Sequence, residues 1–452
     1  MKDKEVAKII PKTPLEDWIA RKIGLKEGEL TREAIESYQL AQLRKTIDWV
    51  KNKSSFYRQK LGHIEPEAIT DFSVFSKLPF TWPQDVQNNP QRLVCTGQGD
   101  IARIVTLRSS GTTGQPKRIF FTQADQELTI DFFDYGMRNL VGPQDRVMIL
   151  LPWKQPGSVG DLLKQGLKRL GAGAIPFGPV SDAGEAIQCA LETKASSLVG
   201  IPTHVLAMAR SKKGKLLKDR IKSVLLSTDH VPRSICQVLE DTWGCKVFNH
   251  YGMTEMGLGG GVQCAALAGY HLREADLYFE IIDPESGQVL KEGETGEVVF
   301  TTLTRVGMPL IRYRTGDLSR FIPAQCPCGT VLRSMEIVKG RLAGRIKVQE
   351  HSFSMAELDE VIFLFDGVVD YGVIIGNNSG LDCLYVDLKT SEDNTVRLDE
   401  DFKDRVCRAL RSIPAVQQAF PQREQILISN FGKKVPFSTG TAKRIIIDNR
   451  DN

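Results

Sequence analysis

Residues 107–121 read LRSSGTTGQPKRIFF, and this segment decides how the chain is interpreted. Two glycines, four hydroxyl side chains and a lysine lie between two strand-like runs, a mixture that a hydrophobic core does not require. Backbone amides around Gly111 and Gly114 can surround the oxygens of a phosphate chain. Further hydrogen bonds are offered by the hydroxyls of Ser109, Ser110, Thr112 and Thr113. The segment predicts a phosphate-binding loop, and the alternative is a Gly/Ser hairpin without a ligand.

This loop differs from the Walker motif GxxxxGK[ST] of many nucleotide-binding proteins. Pro116 stands where that motif requires its second glycine. The residue after Lys117 is arginine, where the motif has serine or threonine. The segment is therefore not a Walker loop.

Two further clusters place polar side chains beside glycine turns. In NHYGMTEMG, Tyr251 can stack on an aromatic base, Thr254 can bond a phosphate, and Glu255 offers a carboxylate to Mg²⁺. The alternative for this cluster is a helix N-terminus with Thr254 as its cap. In YRTGD, Asp317 can accept hydrogen bonds from both ribose hydroxyls, or it can stabilise its own turn.

Short apolar runs alternate with amphipathic, helix-length segments from residue 101 to about 340. This alternation predicts an α/β protein with a mostly parallel sheet covered by helices on both faces. The predicted strands are 101–107, 147–151, 173–177, 197–201 and 224–227. The predicted helices are 31–61, 161–170 and 185–191.

The pattern changes twice toward the C-terminus. β-rich runs separated by Gly and Pro turns predict a smaller, more antiparallel subdomain at about 277–338, with strands 277–282, 298–302 and 310–314. Beyond it, residues 341–452 are predicted to form a small α+β domain, so that the large domain is 1–340. The elements predicted for the small domain are helices 356–365 and 399–413 and strands 368–375 and 381–388.

The composition is that of an ordinary globular protein. The 452 residues are 41% hydrophobic and 25% charged, and the net charge of +4 is spread along the chain. This small basic excess argues against a nucleic-acid partner. The apolar runs are too short to cross a bilayer and the N-terminus lacks the apolar stretch of a signal peptide, so no membrane partner is expected. Nine irregularly spaced cysteines do not form a secreted disulfide framework and favour a cytoplasmic protein.

Four metal-ligand side chains stand apart from these clusters. Six residues separate Cys264 from His271, and Cys326 and Cys328 form the motif CPCG. Three thiolates and one imidazole complete a tetrahedral zinc set without an open position, as in structural sites. The alternative is a set of unrelated buried cysteines, because the CxC spacing is tighter than the usual CxxC.

The polar clusters, in this order, resemble the adenylate-forming superfamily of acyl- and aryl-CoA ligases, and more closely its phenylacetate-CoA ligase branch. The resemblance covers nearly the whole chain. The segments that carry it are YQLAQLRKTIDWVKNKSSFYRQKLG, SKLPFTWPQDV, SSGTTGQPK, YGMTEMG, GETGEVVFTTLT, MPLIRYRTGDLSR, CPCG and GRLAGR. Relatives carry similarly placed Cys and His residues, which favours the zinc interpretation.

The resemblance implies a two-step reaction on a small carboxylic acid, expected to be aryl or arylacetic. The acid attacks the α-phosphorus of ATP to form an acyl adenylate and pyrophosphate, with Mg²⁺ and cations stabilising the phosphate charge. The thiol of coenzyme A then displaces AMP to form a thioester. The family alternates between two orientations of its small domain, so a mobile C-terminal domain with a hinge near 341–346 is expected. Relatives often dimerise, which makes a homodimer a further expectation.

The family's functional residues map onto this chain position by position. Loop 109–114 and Lys117 would hold the phosphates, and Tyr251 would stack on adenine. Thr254 and Glu255 would act in catalysis, at the α-phosphate and Mg²⁺. The other nucleotide-binding positions would be Asp229 on the adenine side, His250 and Gly252 beside Tyr251, and Asp317 and Arg341 at the ribose.

The C-terminal domain departs from the family pattern at the catalytic lysine. The family places this lysine directly after a glycine, whereas STGTAKR has Thr441 there. In an extended segment Lys443 would point to the same face about 6–7 Å away, which makes it the candidate catalytic substitute. The alternative is an ordinary surface lysine. Glu350 also replaces a glycine that shapes the pantetheine passage, where a carboxylate would narrow and charge it.

These departures leave two alternatives to an acid–CoA ligase. One is a degenerate relative that binds ATP or AMP without turnover. The other is an adenylating enzyme that passes its acyl group to a carrier protein or another amine or thiol. The acyl pocket is expected to include 152–160 and 172–179, although Trp153 and Phe177 are alternatively core residues.

Overall fold

The computed structural model describes residues 10–107, 116–378, 380–391, 399–430 and 444–450. The predicted phosphate loop 109–114, Thr441 and Lys443 lie outside the described residues. Within the described ranges, no helix combines the length and the apolar composition that crossing a membrane requires.

The secondary structure alternates helices and strands along most of the chain. The α-helices are α1 (Leu15–Lys22), α2 (Arg32–Lys53), α3 (Ser55–Leu61), α4 (Phe72–Phe75), α5 (Pro83–Asn88), α6 (Gln123–Met137), α7 (Val159–Leu170), α8 (Ala183–Glu192), α9 (Pro202–Arg210), α10 (Arg233–Trp243), α11 (Met355–Ile362), α12 (Glu400–Leu410) and α13 (Pro414–Ala419). Short 3-10 helices are Pro66–Ala68, Pro90–Leu93, Gln98–Asp100, Gly214–Leu217, Thr254–Met256 and Arg423–Gln425. The strands are β1 (Ile101–Leu107), β2 (Lys117–Thr122), β3 (Arg146–Ile149), β4 (Gly173–Pro176), β5 (Ser197–Gly200), β6 (Ser223–Leu226), β7 (Lys246–Tyr251), β8 (Gly261–Gln263), β9 (Tyr270–Leu272), β10 (Leu277–Ile282), β11 (Gly296–Thr302), β12 (Tyr313–Ser319), β13 (Phe321–Ile322), β14 (Ser334–Met335), β15 (Gly340–Arg341), β16 (Arg345–Val348), β17 (His351–Ser354), β18 (Val368–Asn378), β19 (Leu381–Thr390), β20 (Ile426–Asn430) and β21 (Ile446–Asp448).

The helix predicted over 31–61 forms with one break. Thr31 begins α2 because its Oγ1 accepts a 3.2 Å hydrogen bond from the backbone amide of Ala34. Ser54 ends α2 in an extended conformation, and its Oγ accepts a 3.2 Å hydrogen bond from the amide of Tyr57. Because the Ser54 side chain caps the next helix, the run continues as α3.

The chain divides into two compact units, each made of two segments. The first unit contains Met1–Val141 and His250–Ile337, and the second contains Gly142–Asn249 and Val338–Asn452. Strand β7 runs across one boundary, so its last two residues belong to the first unit. The predicted division into 1–340 and 341–452, with a hinge near 341–346, stays a prediction.

The second unit contains the predicted parallel sheet. Its strand order is β4-β3-β5-β6-β7, with parallel pairing throughout. Strands β5 and β6 are buried along their whole length, as expected for the central strands of a parallel sheet. The predicted bounds of these strands are confirmed to within two residues.

The C-terminal part of the second unit has the predicted α+β composition. Strands β18 and β19 pair antiparallel, while β20 and β21 join them in parallel. Strands β16 and β17 form a separate hairpin. One hydrophobic core combines side chains of both parts of this unit, such as Leu206 and Val224 with Phe363 and Val373.

The first unit is built from antiparallel sheets. Strands β10, β11 and β12 pair in that order, and β8, β9, β14 and β13 form another set. The prediction that 101–107 belongs to the parallel sheet is wrong, because β1 pairs antiparallel with β2 in a two-stranded sheet. The connection 108–116 is shorter than the dozen or so residues that a parallel crossover needs.

The strand predicted at 310–314 is displaced. The observed strand β12 begins only at Tyr313. Arg312 has a φ of +46°, a left-handed conformation that interrupts an extended strand. Its guanidinium is buried and bonds both carboxylate oxygens of Glu280 at 3.0 Å. This tertiary ion pair is absent from the local pattern on which the prediction relied.

Candidate functional site

Three side chains of the first unit form a hydrogen-bonded triangle. Lys117 begins β2, Glu255 lies in the 3-10 helix Thr254–Met256, and Tyr313 begins β12. Lys117 Nζ donates to Glu255 Oε1 at 2.6 Å and to Tyr313 Oη at 2.9 Å. Tyr313 Oη donates to the same Glu255 oxygen at 3.1 Å. The fold therefore brings together two predicted site residues, Lys117 and Glu255, with a tyrosine for which no role was predicted.

The turn that carries Glu255 is fixed by two buried side chains. Arg305 donates from Nη1 to the Glu255 carbonyl oxygen at 2.6 Å and from Nη2 to the Phe120 carbonyl oxygen at 3.1 Å. Thr129 Oγ1 donates to the carbonyl oxygen of Gly257 at 2.9 Å. Gly257 has a φ of +80°, which suits glycine at the end of a turn. Arg305 thus links β2 to this turn, although no local motif identified it in the sequence.

Thr254 does not cap this turn. The residue before the 3-10 helix is Met253, and no side chain caps it. Thr254 is the first residue of the 3-10 helix itself. The alternative interpretation of the cluster as a helix N-terminus capped by Thr254 is therefore wrong.

Glu255 is a buried carboxylate that stays charged at neutral pH. Only 3% of its surface is exposed, and burial alone would raise its pKa. The charge of Lys117, with hydrogen bonds from Lys117 and Tyr313, outweighs burial and holds the pKa of Glu255 below its ordinary value. Both of these side-chain hydrogen bonds reach the same oxygen, Oε1, and the backbone of Glu255 also bonds its own carboxylate. A charged carboxylate fits the ligand preference of Mg²⁺.

Tyr251 and Asp317 are also neighbours in the first unit. Tyr251 ends β7, and its Oη donates a 3.0 Å hydrogen bond to Asp317 Oδ2. Both residues are buried, and the Tyr251 ring lies 5.7 Å from that of Tyr270 between centroids. The residues predicted to contact the base and the ribose therefore lie together.

Gly252 and His250 flank Tyr251, and each packs closely against neighbouring residues. A Cβ on Gly252 would lie 2.3 Å from the carbonyl oxygen of Leu258, so this approach requires glycine. The His250 ring lies 6.3 Å from that of Phe132 and 6.2 Å from that of Phe133. Burial lowers the pKa of His250 to about 4, so its imidazole is neutral at pH 7. His250 can hydrogen-bond a nucleotide in this state but adds no positive charge opposite phosphate.

His250 is expected to make stability acid-sensitive. Its pKa is about 4 in the folded protein, against about 6.5 in an unfolded chain, so the unfolded state binds more protons between these values. Stability therefore rises with pH through this window and is lost as pH falls. Between pH 6.5 and pH 5 the wild type is expected to lose about 2 kcal/mol more than His250→Gln, measured by urea unfolding. The exposed His63→Gln is the control, and equal pH dependence in wild type and His250→Gln would contradict the prediction.

Asp229 and Arg341 belong to the second unit. Arg341 is half-buried in the short strand β15. Asp229 follows β6, and its Oδ2 lies 3.3 Å from Nε of Arg444. The nucleotide-binding roles of Asp229 and Arg341 stay predictions.

Arg444 is the centre of a buried ionic cluster in the second unit. Its Nη1 and Nη2 bond the two carboxylate oxygens of Asp359, each at 2.7 Å. Tyr371 Oη donates to Asp359 at 2.6 Å, and the guanidinium lies over the ring of Phe363 at 5.2 Å. This two-point geometry is specific to arginine. The only sequence signal was a charged residue at the start of the apolar run RIII.

Arg444→Met is expected to lower the free energy of unfolding by about 3–5 kcal/mol, because it leaves the carboxylate of Asp359 buried without its partner. Arg444→Lys restores only part of the loss, since an ammonium cannot bond both oxygens in the same geometry. The control is Arg405→Met, whose side chain is 53% exposed and pairs with Asp401 on the same helix. Unfolding in guanidinium chloride measures the free energy of unfolding of each variant. A similar decrease in Arg444→Met and Arg405→Met would overturn the prediction.

The four predicted metal ligands converge in the first unit. Cys264, His271, Cys326 and Cys328 are buried, and their ligand atoms all lie within 4.8 Å of one another. Cys264 Sγ is 3.7 Å from Cys326 Sγ, and Cys328 Sγ is 3.4 Å from His271 Nε2. Bond lengths typical of zinc give tetrahedron edges of about 3.7 Å between sulfurs and about 3.5 Å between sulfur and nitrogen. The donor set therefore fits one tetrahedral zinc ion.

The surroundings of this cysteine–histidine cluster support metal binding. Ser334 Oγ lies 3.5 Å from Nδ1 of His271, which leaves Nε2 directed at the cysteines. A hydrogen bond from Cys264, with a further one from His271, holds the pKa of Cys328 well below its ordinary value despite burial. A thiolate is the form that binds metal.

The N-terminal segment is fastened to the same cluster. Ile10 packs against the three cysteines. Glu16, in α1, is 3% exposed, and its Oε2 accepts hydrogen bonds from Thr330 Oγ1 at 2.5 Å and from the Val331 amide at 2.9 Å. Helix α1 is thus held directly to the turn that follows Cys328.

The parallel sheet, the paired Tyr251 and Asp317, and a lysine–carboxylate pair beside the sequence predicted to bind phosphate are the features expected of an AMP-binding enzyme. The family model of that description, AMP-binding enzyme, matches residues 51–304, more than half of the chain, so the chain belongs to this family. Among curated relatives, the phenylacetate-coenzyme A ligase of Escherichia coli (strain K12) is 26% identical over 425 residues, covering 91% of this chain and 94% of that protein. The phenylacetate-coenzyme A ligase of Thermus thermophilus is 25% identical and covers 87% of this chain and 90% of that protein. The chain is therefore similar to phenylacetate-coenzyme A ligases over most of its length.

Solved structures share the fold. The 2-hydroxyisobutyryl-CoA ligase in the postadenylation state, in complex with 2-HIB-AMP, has a TM-score of 0.77 at 20% identity, covering 93% of this chain and 91% of that chain. The anthranilate CoA ligase AuaEII in complex with anthranoyl-AMP has a TM-score of 0.55 at 16% identity, covering 77% of this chain and 66% of that chain. This likeness confirms the predicted α/β fold.

Proposed function

We propose that this protein activates a carboxylic acid with ATP as an acyl adenylate and then transfers the acyl group to coenzyme A. The observation that carries the proposal is the Lys117–Glu255–Tyr313 triangle in the same unit as the Tyr251–Asp317 pair, within a chain of the AMP-binding family. Similarity to phenylacetate-coenzyme A ligases makes phenylacetate and related aryl acids the first substrates to examine.

In the first step, a carboxylate oxygen of the acid bonds to the α-phosphorus of ATP, and the bond from that phosphorus to pyrophosphate breaks. Lys117 contacts the phosphate oxygens, and Glu255 is the residue that would hold Mg²⁺. When bound, Mg²⁺ supplies charge neutralisation at the phosphates. Tyr251 stacks on the adenine, and Asp317 accepts hydrogen bonds from the ribose hydroxyls. These fixed groups stabilise charge where it develops.

In the second step, the sulfur of coenzyme A bonds to the acyl carbon, the bond from that carbon to AMP breaks, and the thiol proton leaves. Glu350 was expected to obstruct the pantetheine chain. It lies in the turn between β16 and β17 with its side chain 87% exposed, paired with Lys347 at 3.2 Å. A carboxylate in solvent can turn away from an incoming chain, which supports coenzyme A as acceptor.

Lys443 is proposed as the cation that contacts the α-phosphate and the acyl oxygens in place of the lysine replaced by Thr441. The support is the adjacent Arg444, whose buried pairing with Asp359 fixes the backbone next to Lys443. An anchored neighbour leaves less backbone entropy to be lost when Lys443 is positioned.

Thr441 also favours a second candidate function, an AMP-binding relative that binds ATP or AMP without turnover. The two are separated by pyrophosphate release measured with a panel of aryl and arylacetic acids. Acid-dependent release that leads to a thioester supports the ligase. Release without dependence on coenzyme A indicates another acceptor, and tight nucleotide binding without release supports the second candidate.

The cysteine–histidine cluster is proposed to bind one structural Zn²⁺. The support is a set of four buried ligand atoms within 4.8 Å of one another, which includes a sulfur–sulfur and a sulfur–nitrogen distance typical of tetrahedral zinc. Four protein ligands leave no position for substrate. The metal would link the turn that follows β13 to strand β9. Through the hydrogen bonds of Glu16, it would also hold helix α1 in place.

A further inference from the structure

Glu255 has an uneven environment. Both hydrogen bonds that its carboxylate accepts from other side chains fall on one oxygen, Oε1, from the ammonium of Lys117 and the hydroxyl of Tyr313. Among the described side chains, none donates to Oε2. The Oε1 side of the carboxylate is therefore closed by two protein side chains.

The closed side also carries the compensating charge. Lys117 and Glu255 form a neutral pair, and Glu255 is almost completely buried. Tyr313 is fully buried, its ring lies 5.4 Å from that of Phe300, and its hydroxyl accepts from Lys117 and donates to Glu255. The hydroxyl thus keeps the ammonium against the carboxylate. A divalent cation that approaches Glu255 meets this ammonium at a distance where like charges repel strongly.

The phosphates of a nucleotide are an alternative partner for Lys117. Lys117 immediately follows the SSGTTGQP sequence that predicts a phosphate loop. Its side chain is 20% exposed and that of Glu255 is 3% exposed, so Lys117 is the more accessible member of the pair. Phosphate oxygens can draw the lysine away because a polyphosphate carries more negative charge than one carboxylate.

We propose that Lys117, held by Tyr313, is an internal counter-ion that keeps divalent metal off Glu255 until the phosphates of a nucleotide take the lysine over. Metal then enters together with nucleotide and not before it. Lys117 and Tyr313 are positioning residues in this scheme. The inference rests on the proposed function, since it assigns the triangle to a site for metal and nucleoside triphosphate.

The competing explanation is a purely structural ion pair between β2 and the turn at Glu255. Such a pair would lower stability when broken but would leave the affinity for metal unchanged. The two explanations therefore differ in metal binding without nucleotide, a readout that does not depend on turnover.

The test is a titration of the full chain with Mn²⁺ in the absence of nucleotide. The concentration of free Mn²⁺ is measured by electron paramagnetic resonance. We expect Lys117→Met to bind Mn²⁺ at least tenfold more tightly than wild type, and Tyr313→Phe about threefold more tightly. The double variant Lys117→Met/Glu255→Gln should lose this gain. A non-hydrolysable ATP analogue should tighten Mn²⁺ binding in wild type and much less in Lys117→Met.

Unchanged Mn²⁺ affinity in both Lys117→Met and Tyr313→Phe overturns the proposal, as does a gain that persists in the double variant. Circular dichroism identifies a variant that fails to fold, in which case Tyr313→Phe decides. Failure of the proposed function is distinguishable, because it shows as no acid-dependent pyrophosphate release from wild type whatever the metal affinities are.

Discussion

Glu255→Gln is expected to lower the rate of acid-dependent pyrophosphate release by about 10²–10³-fold, the cost of removing one electrostatic group from a preorganised site. The amide keeps the size of the side chain and can still accept a hydrogen bond from Tyr313. It cannot pair with the charge of Lys117 and is a much weaker Mg²⁺ ligand than a carboxylate. The loss is expected mainly in kcat, because Tyr251 and Asp317 still bind the nucleoside.

The matched control is Glu336→Gln in the same unit. Glu336 pairs with Arg320 at 2.9 Å but is partly exposed, with no predicted role in the site. This variant should keep kcat within about twofold of wild type, as expected for a surface ion pair. Steady-state pyrophosphate release at saturating ATP and acid measures both variants. Equal rates for Glu255→Gln and wild type would remove Glu255 from the chemistry.

Much of the fold followed from local patterns. Strands such as β5 and β6 are continuous apolar runs between turn residues, so their positions were predicted to within two residues. The errors arose where distant residues decide the conformation. Pairing of β1 with β2 depended on the length of the connection, and the late start of β12 depended on Arg312 and its partner Glu280.

The residues of the candidate site also differ in whether a local motif or a distant partner reveals them. Lys117, Glu255 and Asp317 stand in motifs whose composition indicates ligand binding, so the sequence identified them. Arg444 does not, because its partner Asp359 is 85 residues away and the pair forms only in the folded chain. Tyr313 stood inside the YRTGD motif, yet its bond to Glu255 depends on the approach of β12 to the turn at 254–256.

Loss of the zinc ligands is expected to have the largest effect on stability. Cys326→Ser/Cys328→Ser removes two of four ligands, and a structural zinc site contributes its binding free energy to folding. We expect the free energy of unfolding to fall by more than about 4 kcal/mol, a size that points to the loss of a bound metal or an equivalent defect. Atomic emission spectroscopy should find one zinc ion per wild-type chain and none in the double variant.

The control is Cys189→Ser, whose thiol is partly exposed and lies outside the cluster. It should keep both the zinc and the stability of the wild type. A wild-type chain purified without chelator that contains no zinc would contradict the proposal, as would an unchanged free energy of unfolding in the double variant.

The effect should also reach the N-terminal helix, because Glu16 bonds Thr330 and Val331 directly after the CPCG motif. When the turn loses its metal, these donors are expected to move, and Glu16, which is 3% exposed, keeps only its ion pair with Lys12. Helix α1 should then separate from the turn, and its backbone amides should exchange hydrogen faster. Hydrogen exchange over residues 10–22 is therefore expected to rise in the double variant and in wild type treated with chelator. It should stay unchanged in Cys189→Ser, since that substitution leaves the turn intact.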